Sequence, residues 1–133
     1  MHPILKDIIA VIVGAFIGSL VNGAIIMLSG NIIPPPDGLD ITTEAGLKTG
    51  MHLMQPKHFV FPFLAHAIGT FVGAYIAARF AAHKMISAII IGLFFLMGGI
   101  WMVMIVPSPI WFTVVDLVGA YLPVAYFAGR IAK

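Results

Sequence analysis

The sequence predicts an all-α integral membrane protein. It reads as a four-helix bundle with a short amphipathic helix in its first loop, interfacial or re-entrant. Three observations predict this. Hydrophobic residues make up 61% of the 133 residues and charged residues only 9%. Soluble domains carry about 25% charged residues, so the chain lacks the charge to cover a water-facing surface. Four apolar stretches, 8–33, 58–82, 85–106 and 111–131, each reach the roughly 20 residues that cross the hydrocarbon at about 1.5 Å per residue. Prolines and short polar clusters separate them. The length fits one domain over 1–133. Cysteine is absent, which excludes disulfides, thiolate metal sites and a cysteine nucleophile. A net charge of +2 gives no nucleic-acid signal.

The first span is interrupted only by Ser19, Asn22, Ser29 and Asn31 among its polar residues. A basic lead with Lys6 also fits a secretory leader. The run exceeds the roughly 7–15 apolar residues of such leaders, and no small-x-small cleavage site follows, so a membrane helix is expected. Gly14, Gly18 and Asn22 recur every fourth residue, flanked by Ala15, Ser19 and Gly23. Small residues at that spacing let helix backbones approach closely in lipid.

Pro34, Pro35 and Pro36 end this helix, because consecutive prolines cannot supply helical N–H donors. The 37–55 region that follows is the one sizeable polar stretch, with Asp37, Asp40 and Glu44. Asp40 or Thr42 is the expected cap of a short helix, with Glu44 favoured in its first turn by the helix dipole. Leu47, Met51 and Met54 mark its apolar face.

The second span organises the rest. It carries Ala65, Gly69, Gly73 and Ala77 four residues apart, with His66 just outside that line. Pro62 is acceptable in its first turn. Of the two glycine stripes, one is expected to serve within the chain and the other between copies, giving a homo-oligomer, foremost a dimer. Arg79, His83 and Lys84 mark a polar turn. The third span holds Gly92, Gly98 and Gly99, and Pro107-Ser108-Pro109 turns the chain into the fourth. There Pro123 is expected to free the Gly119 carbonyl and bend the helix. The halves show no internal duplication, so an inverted-repeat transporter finds little support.

Orientation follows from basic residues near the span ends. Lys6, Arg79, Lys84, Arg130 and Lys133 fall on one side, and Lys48 and Lys57 on the other. The expectation is a multi-pass protein of the cell inner membrane, both termini cytoplasmic and the 34–57 loop outside. Trp101 and Trp111 then lie near the outer interface, where tryptophan is enriched.

Asp116 is the most informative residue, because an acid within a span normally faces the bundle interior or a watery cavity. It lies about 7–8 Å below the outer end, and His66 about 12 Å below it. Asn22 sits in the outer half of the first span. These three polar residues form the candidate ligand, ion or proton site, with Glu44, Lys48 and His58 as loop contributors. The competing reading is structural: a headgroup contact for Asp116, one backbone bond for His66, interhelical bonding for Asn22.

Met51, His52 and Met54 are the metal candidates, since thioether and imidazole suit Cu(I). The same methionines also serve as an apolar helix face. A bis-histidine haem is disfavoured, because His58 and His66 share one span. A Ser108–His58–Asp116 triad lacks any surrounding nucleophile motif. No cofactor is expected. The leading functional reading is a non-enzymatic binding or transport unit, or a subunit of a larger membrane assembly, with lipids and copies of itself as partners. The alternative is a membrane-embedded enzyme using the Asp/His pair, and a weaker one is a Met/His copper-binding protein.

Overall fold

The computed structural model describes residues 1–133 and contains helices and no strand. Helix α1 is Pro3–Ile32, α2 is Glu44–Gly50, α3 is Val60–Phe80, α4 is Lys84–Ile105, α5 is Ile110–Gly119 and α6 is Leu122–Ile131. Two 3₁₀ turns, Met51–Leu53 and Pro56–Phe59, link α2 to α3. Four helical rods are long and apolar enough to cross a membrane: α1, the Pro56–Phe80 rod, α4, and α5 with α6.

Helix α1 starts before residue 8 because its cap lies upstream. The His2 side chain accepts from the Ile4 N–H, and Pro3 fits the first turn, where no intrahelical donor is lost. At 30 residues it is about 45 Å long, longer than the roughly 30 Å hydrocarbon core.

Helix α1 packs along α3 more extensively than any other pair of helices. Gly14 and Gly18 face Gly73 and Gly69. A Cβ on Gly14 would collide with the Gly73 carbonyl oxygen, and one on Gly18 would sit 2.6 Å from the Gly69 oxygen. The relation is mutual, since a Cβ on Gly73 would lie 2.7 Å from the Gly14 oxygen. Both stripes are therefore spent on each other inside one chain. The expected division, one stripe internal and one between copies, does not hold.

The helices close tightly in the half nearest the termini. Ala74, Ala77, Ala78, Ala88, Ile91, Ala125 and Ala128 form a buried cluster there. The residues are almost all small, so α3, α4 and α6 pack at short range. Gly92 and Gly129 complete the fit, each opposed to an alanine Cβ of the neighbouring helix. Asp7 ties the start of α1 to the α3–α4 turn. Its carboxylate accepts from the Ala82 N–H at 2.7 Å and the His83 N–H at 3.0 Å, and bonds His83 Nδ1 at 2.6 Å. Lys6, Arg79, Lys84, Arg130 and Lys133 thus share one end of the bundle.

The other half is looser, and the fourth span explains why. It is broken, not merely bent. Helix α5 stops at Gly119, Tyr121 leaves helical geometry at φ −115°, ψ −80°, and α6 restarts with Pro123 in its first turn. Proline there has no N–H for the Gly119 carbonyl. Helix α6 packs closely on α3 and α4, whereas α5 touches them much less. Helix α5 is held at the end away from the termini by an aromatic cluster, with Phe59 4.6 Å from Phe112 and 5.4 Å from Trp111 between ring centroids.

Thr43, not Asp40 or Thr42, caps α2, its hydroxyl accepting from the Gly46 N–H at 3.0 Å. Asp40 instead accepts from the hydroxyl and N–H of Thr42, and the hydroxyl, then the N–H, hold its carboxyl below the usual carboxylate range.

Two outcomes test this packing. Gly14→Ala and Gly18→Ala each force backbones apart and should lower stability by about 1–3 kcal/mol. Gly23→Ala, whose Cβ meets nothing within 4 Å, should match wild type in the same unfolding measurement in bilayers. Asp7→Ala should speed hydrogen exchange of the Ala82 and His83 amides while leaving exchange in the α1–α3 crossing unchanged.

Candidate functional site

The splay of α5 opens a cavity of about 300 Å³ in the half of the bundle away from the termini. Asn22 of α1, His66 of α3, Gly99 and Met102 of α4, and Phe112 and Asp116 of α5 line its walls. Ile41, Leu47, Met51 and Met54 of the first loop cover it. The apolar face read at those last three spacings thus turns inward as a cap.

Asp116 is buried, its side chain 4% exposed. Its Oδ1 lies 2.7 Å from His66 Nδ1, and its Oδ2 accepts from the Tyr121 hydroxyl at 3.1 Å. With the carboxylate ionised, Nδ1–H donates, and each carboxylate oxygen has one donor. His66 is 26% exposed at its side chain, stacks on the Tyr121 ring at 5.8 Å between centroids, and has no partner within the chain at Nε2. That nitrogen is left as a hydrogen-bond acceptor at the cavity wall.

The backbone builds this arrangement. On a continuous helix, residues five apart diverge in direction. The break at Ala120 and Tyr121 brings the Tyr121 hydroxyl back to Asp116. Gly99 makes the space, since a Cβ there would sit 2.6 Å from the Tyr121 hydroxyl oxygen. Gly69 does the same for Asn22, whose own Cβ would lie 2.8 Å from a Cβ at position 69. Asn22 Oδ1 is buried without a hydrogen-bond partner. An unsatisfied buried acceptor costs about 1–3 kcal/mol; Nδ2 of the same amide also has no partner and, unlike Oδ1, is not enclosed.

The loop contributors fall elsewhere. Glu44 and Lys48 pair with each other at 2.8 Å on the exposed side of α2 and do not line the cavity. His58 Nδ1 accepts from the Gln55 N–H at 2.8 Å, capping a 3₁₀ turn. Asp116 is held by His66, and Ser108 bonds Thr113 at 2.7 Å, so the Ser108–His58–Asp116 set is not assembled. Met51 and Met54 line the cavity while His52 lies exposed outside it, so the metal candidates do not converge. Tyr121 is the member sequence reasoning missed; its one signal is an aromatic hydroxyl two residues before Pro123.

No family model, curated protein or solved structure matches the chain.

A double-mutant cycle tests the pair. Asp116→Ala and His66→Ala should each destabilise the protein, and the double variant should fall short of their sum by roughly 0.5–3 kcal/mol. Additive losses in reversible unfolding would place the two side chains out of contact.

Proposed function

We propose that this protein is a small non-enzymatic binding or transport unit of the cell inner membrane, acting as a homo-oligomer or within a larger membrane assembly. Its site is the capped cavity. The observation that carries this reading is the imidazole of His66, which lines the cavity, is fixed by Asp116 at Nδ1 and has no partner at Nε2. An intramembrane acid, histidine and asparagine from three helices meet around space large enough for a small ligand. At the cavity wall Asn22 Nδ2 and His66 Nε2, a donor and an acceptor, have no partner within the chain. Five basic residues at the end with both termini support a cytoplasmic placement of that end and an external loop.

A second reading, a membrane-embedded enzyme, draws on the same geometry. A carboxylate that fixes one imidazole nitrogen leaves the other available as a general base. Chemical conversion of a bound molecule, lost in His66→Ala, favours the enzyme. Flux across liposomes without conversion favours transport, and a stably co-purifying partner favours a subunit.

Mass spectrometry of the protein extracted in native-lipid nanodiscs tests the binding reading. A molecule should be retained by wild type and lost in His66→Ala and Asn22→Ala at unchanged fold. Identical spectra for all three would refute the site. For orientation, the cysteine-free chain accepts single cysteines. Ala45→Cys should react with an impermeant thiol reagent outside intact cells and Ala82→Cys should not. The reverse pattern would put the loop in the cytoplasm.

A further inference from the structure

The cavity is not closed on all sides. A second space of about 220 Å³ shares Asn22, His66, Gly99 and Met102 with it and adds Phe95, Gly98 and Tyr121. It lies between α1 and α4, which touch far less than α1 and α3 do. Gly98 is exposed, and a Cβ there would meet nothing within 4 Å. The Phe95 ring, seated over Gly18 and Gly73, floors the space. Gly98 lies about 10 Å below the outer end of α4 and Asn22 about 15 Å below that of α1, counting 1.5 Å per residue. The opening therefore faces acyl chains, not water.

The groups at this opening define what fits. His66 Nε2 is an acceptor without a donor, and Asn22 Nδ2 is a donor without an acceptor, the Oδ1 of the same amide being enclosed by protein. The Asp116 carboxylate already has two donors, so a cation finds no free anion. Neither Lys nor Arg lines either space, so an anionic headgroup has no countercharge. The remaining lining is largely apolar. What is missing is an uncharged group that both donates and accepts a hydrogen bond, carried on an apolar chain.

We propose that the site takes an uncharged, single-chain amphiphile with a hydroxyl head, of the fatty-alcohol or monoacylglycerol class, which enters sideways from the bilayer between α1 and α4. The hydroxyl donates to His66 Nε2 and accepts from Asn22 Nδ2, and the chain trails past Gly98 into the lipid. This rests on the reading of the cavity as a binding site.

Photolabelling in phosphatidylcholine liposomes tests it with three diazirine probes: hexadecanol, the same chain ending in methyl, and a short water-soluble diol. Hexadecanol should label the peptides carrying Asn22 and Met102 about tenfold more than the methyl-ended chain. Monooleoylglycerol should compete with it. Gly98→Trp should reduce cavity labelling to background at an unchanged melting temperature, and Gly98→Leu serves if the larger side chain unfolds the protein. Cavity labelling by hexadecanol that survives these variants overturns lateral access and leaves the binding reading standing. Equal labelling by hexadecanol and the methyl-ended chain overturns the hydroxyl head. Labelling by the water-soluble diol alone overturns the lipid-phase ligand and keeps a binding cavity. Labelling by none overturns both.

Discussion

The close approach of α1 to α3 at Gly14, Gly18, Gly69 and Gly73 is the constraint on which the rest depends. In lipid there is no hydrophobic drive to bring apolar helices together, so van der Waals packing at short range must supply it. Backbone against backbone gives the densest packing available to two helices. Once α1 lies that near α3, Asn22 is carried to the level of His66, and Phe95 of α4 can lie across the crossing. A side chain at any of these glycines would lift α1 away and remove one wall of the cavity.

The two halves of the bundle follow from residue size. Where α3, α4 and α6 meet, alanine and glycine occupy the contacts, and nothing larger than Ile91 is fully buried. Where the chain reaches Ala120 and Tyr121, the fourth span breaks. Helix α5 leaves the direction of α6, leaning outward between the Phe59–Trp111–Phe112 cluster and the His66–Asp116 bond. A straight helix would have carried Asp116 on the same course as α6. The break is thus what converts a packed bundle into one with a cavity, and it also returns Tyr121 to the carboxylate. An acid in the membrane is costly unless its oxygens are bonded, and here each has a donor.

Much of this was legible in the sequence. Four apolar stretches, a small-residue stripe on each of the first two, and polar residues at similar depth on three spans follow from spacing and from a rise of about 1.5 Å per residue. Spacing does not say which stripe meets which, so the pairing of both within one chain is not legible there. Position along the chain favoured Thr42 or Asp40 as the loop cap, but a threonine hydroxyl one residue later reaches the Gly46 amide. Glu44 and Lys48 looked available to a site, yet their separation of four residues pairs them on the helix surface. Pro123 signalled a disturbance. Its consequence three residues upstream, and with it the role of Tyr121, depends on how α6 docks against α3 and α4. The Asp7 contact with the α3–α4 turn joins residues some 75 apart and left no local trace.

The bond between His66 and Asp116 inside the bilayer holds the cavity wall together. Solid-state NMR on protein with ¹⁵N-labelled histidine and ¹³C-labelled aspartate carboxyl, in hydrated lipid, measures this through dipolar dephasing. Dephasing of the His66 Nδ1 signal by the Asp116 carboxyl carbon, at the strength required by the 2.7 Å separation of Nδ1 and Oδ1, is the predicted result. An Nδ1 signal that Asp116 leaves undephased at long mixing times would contradict the account.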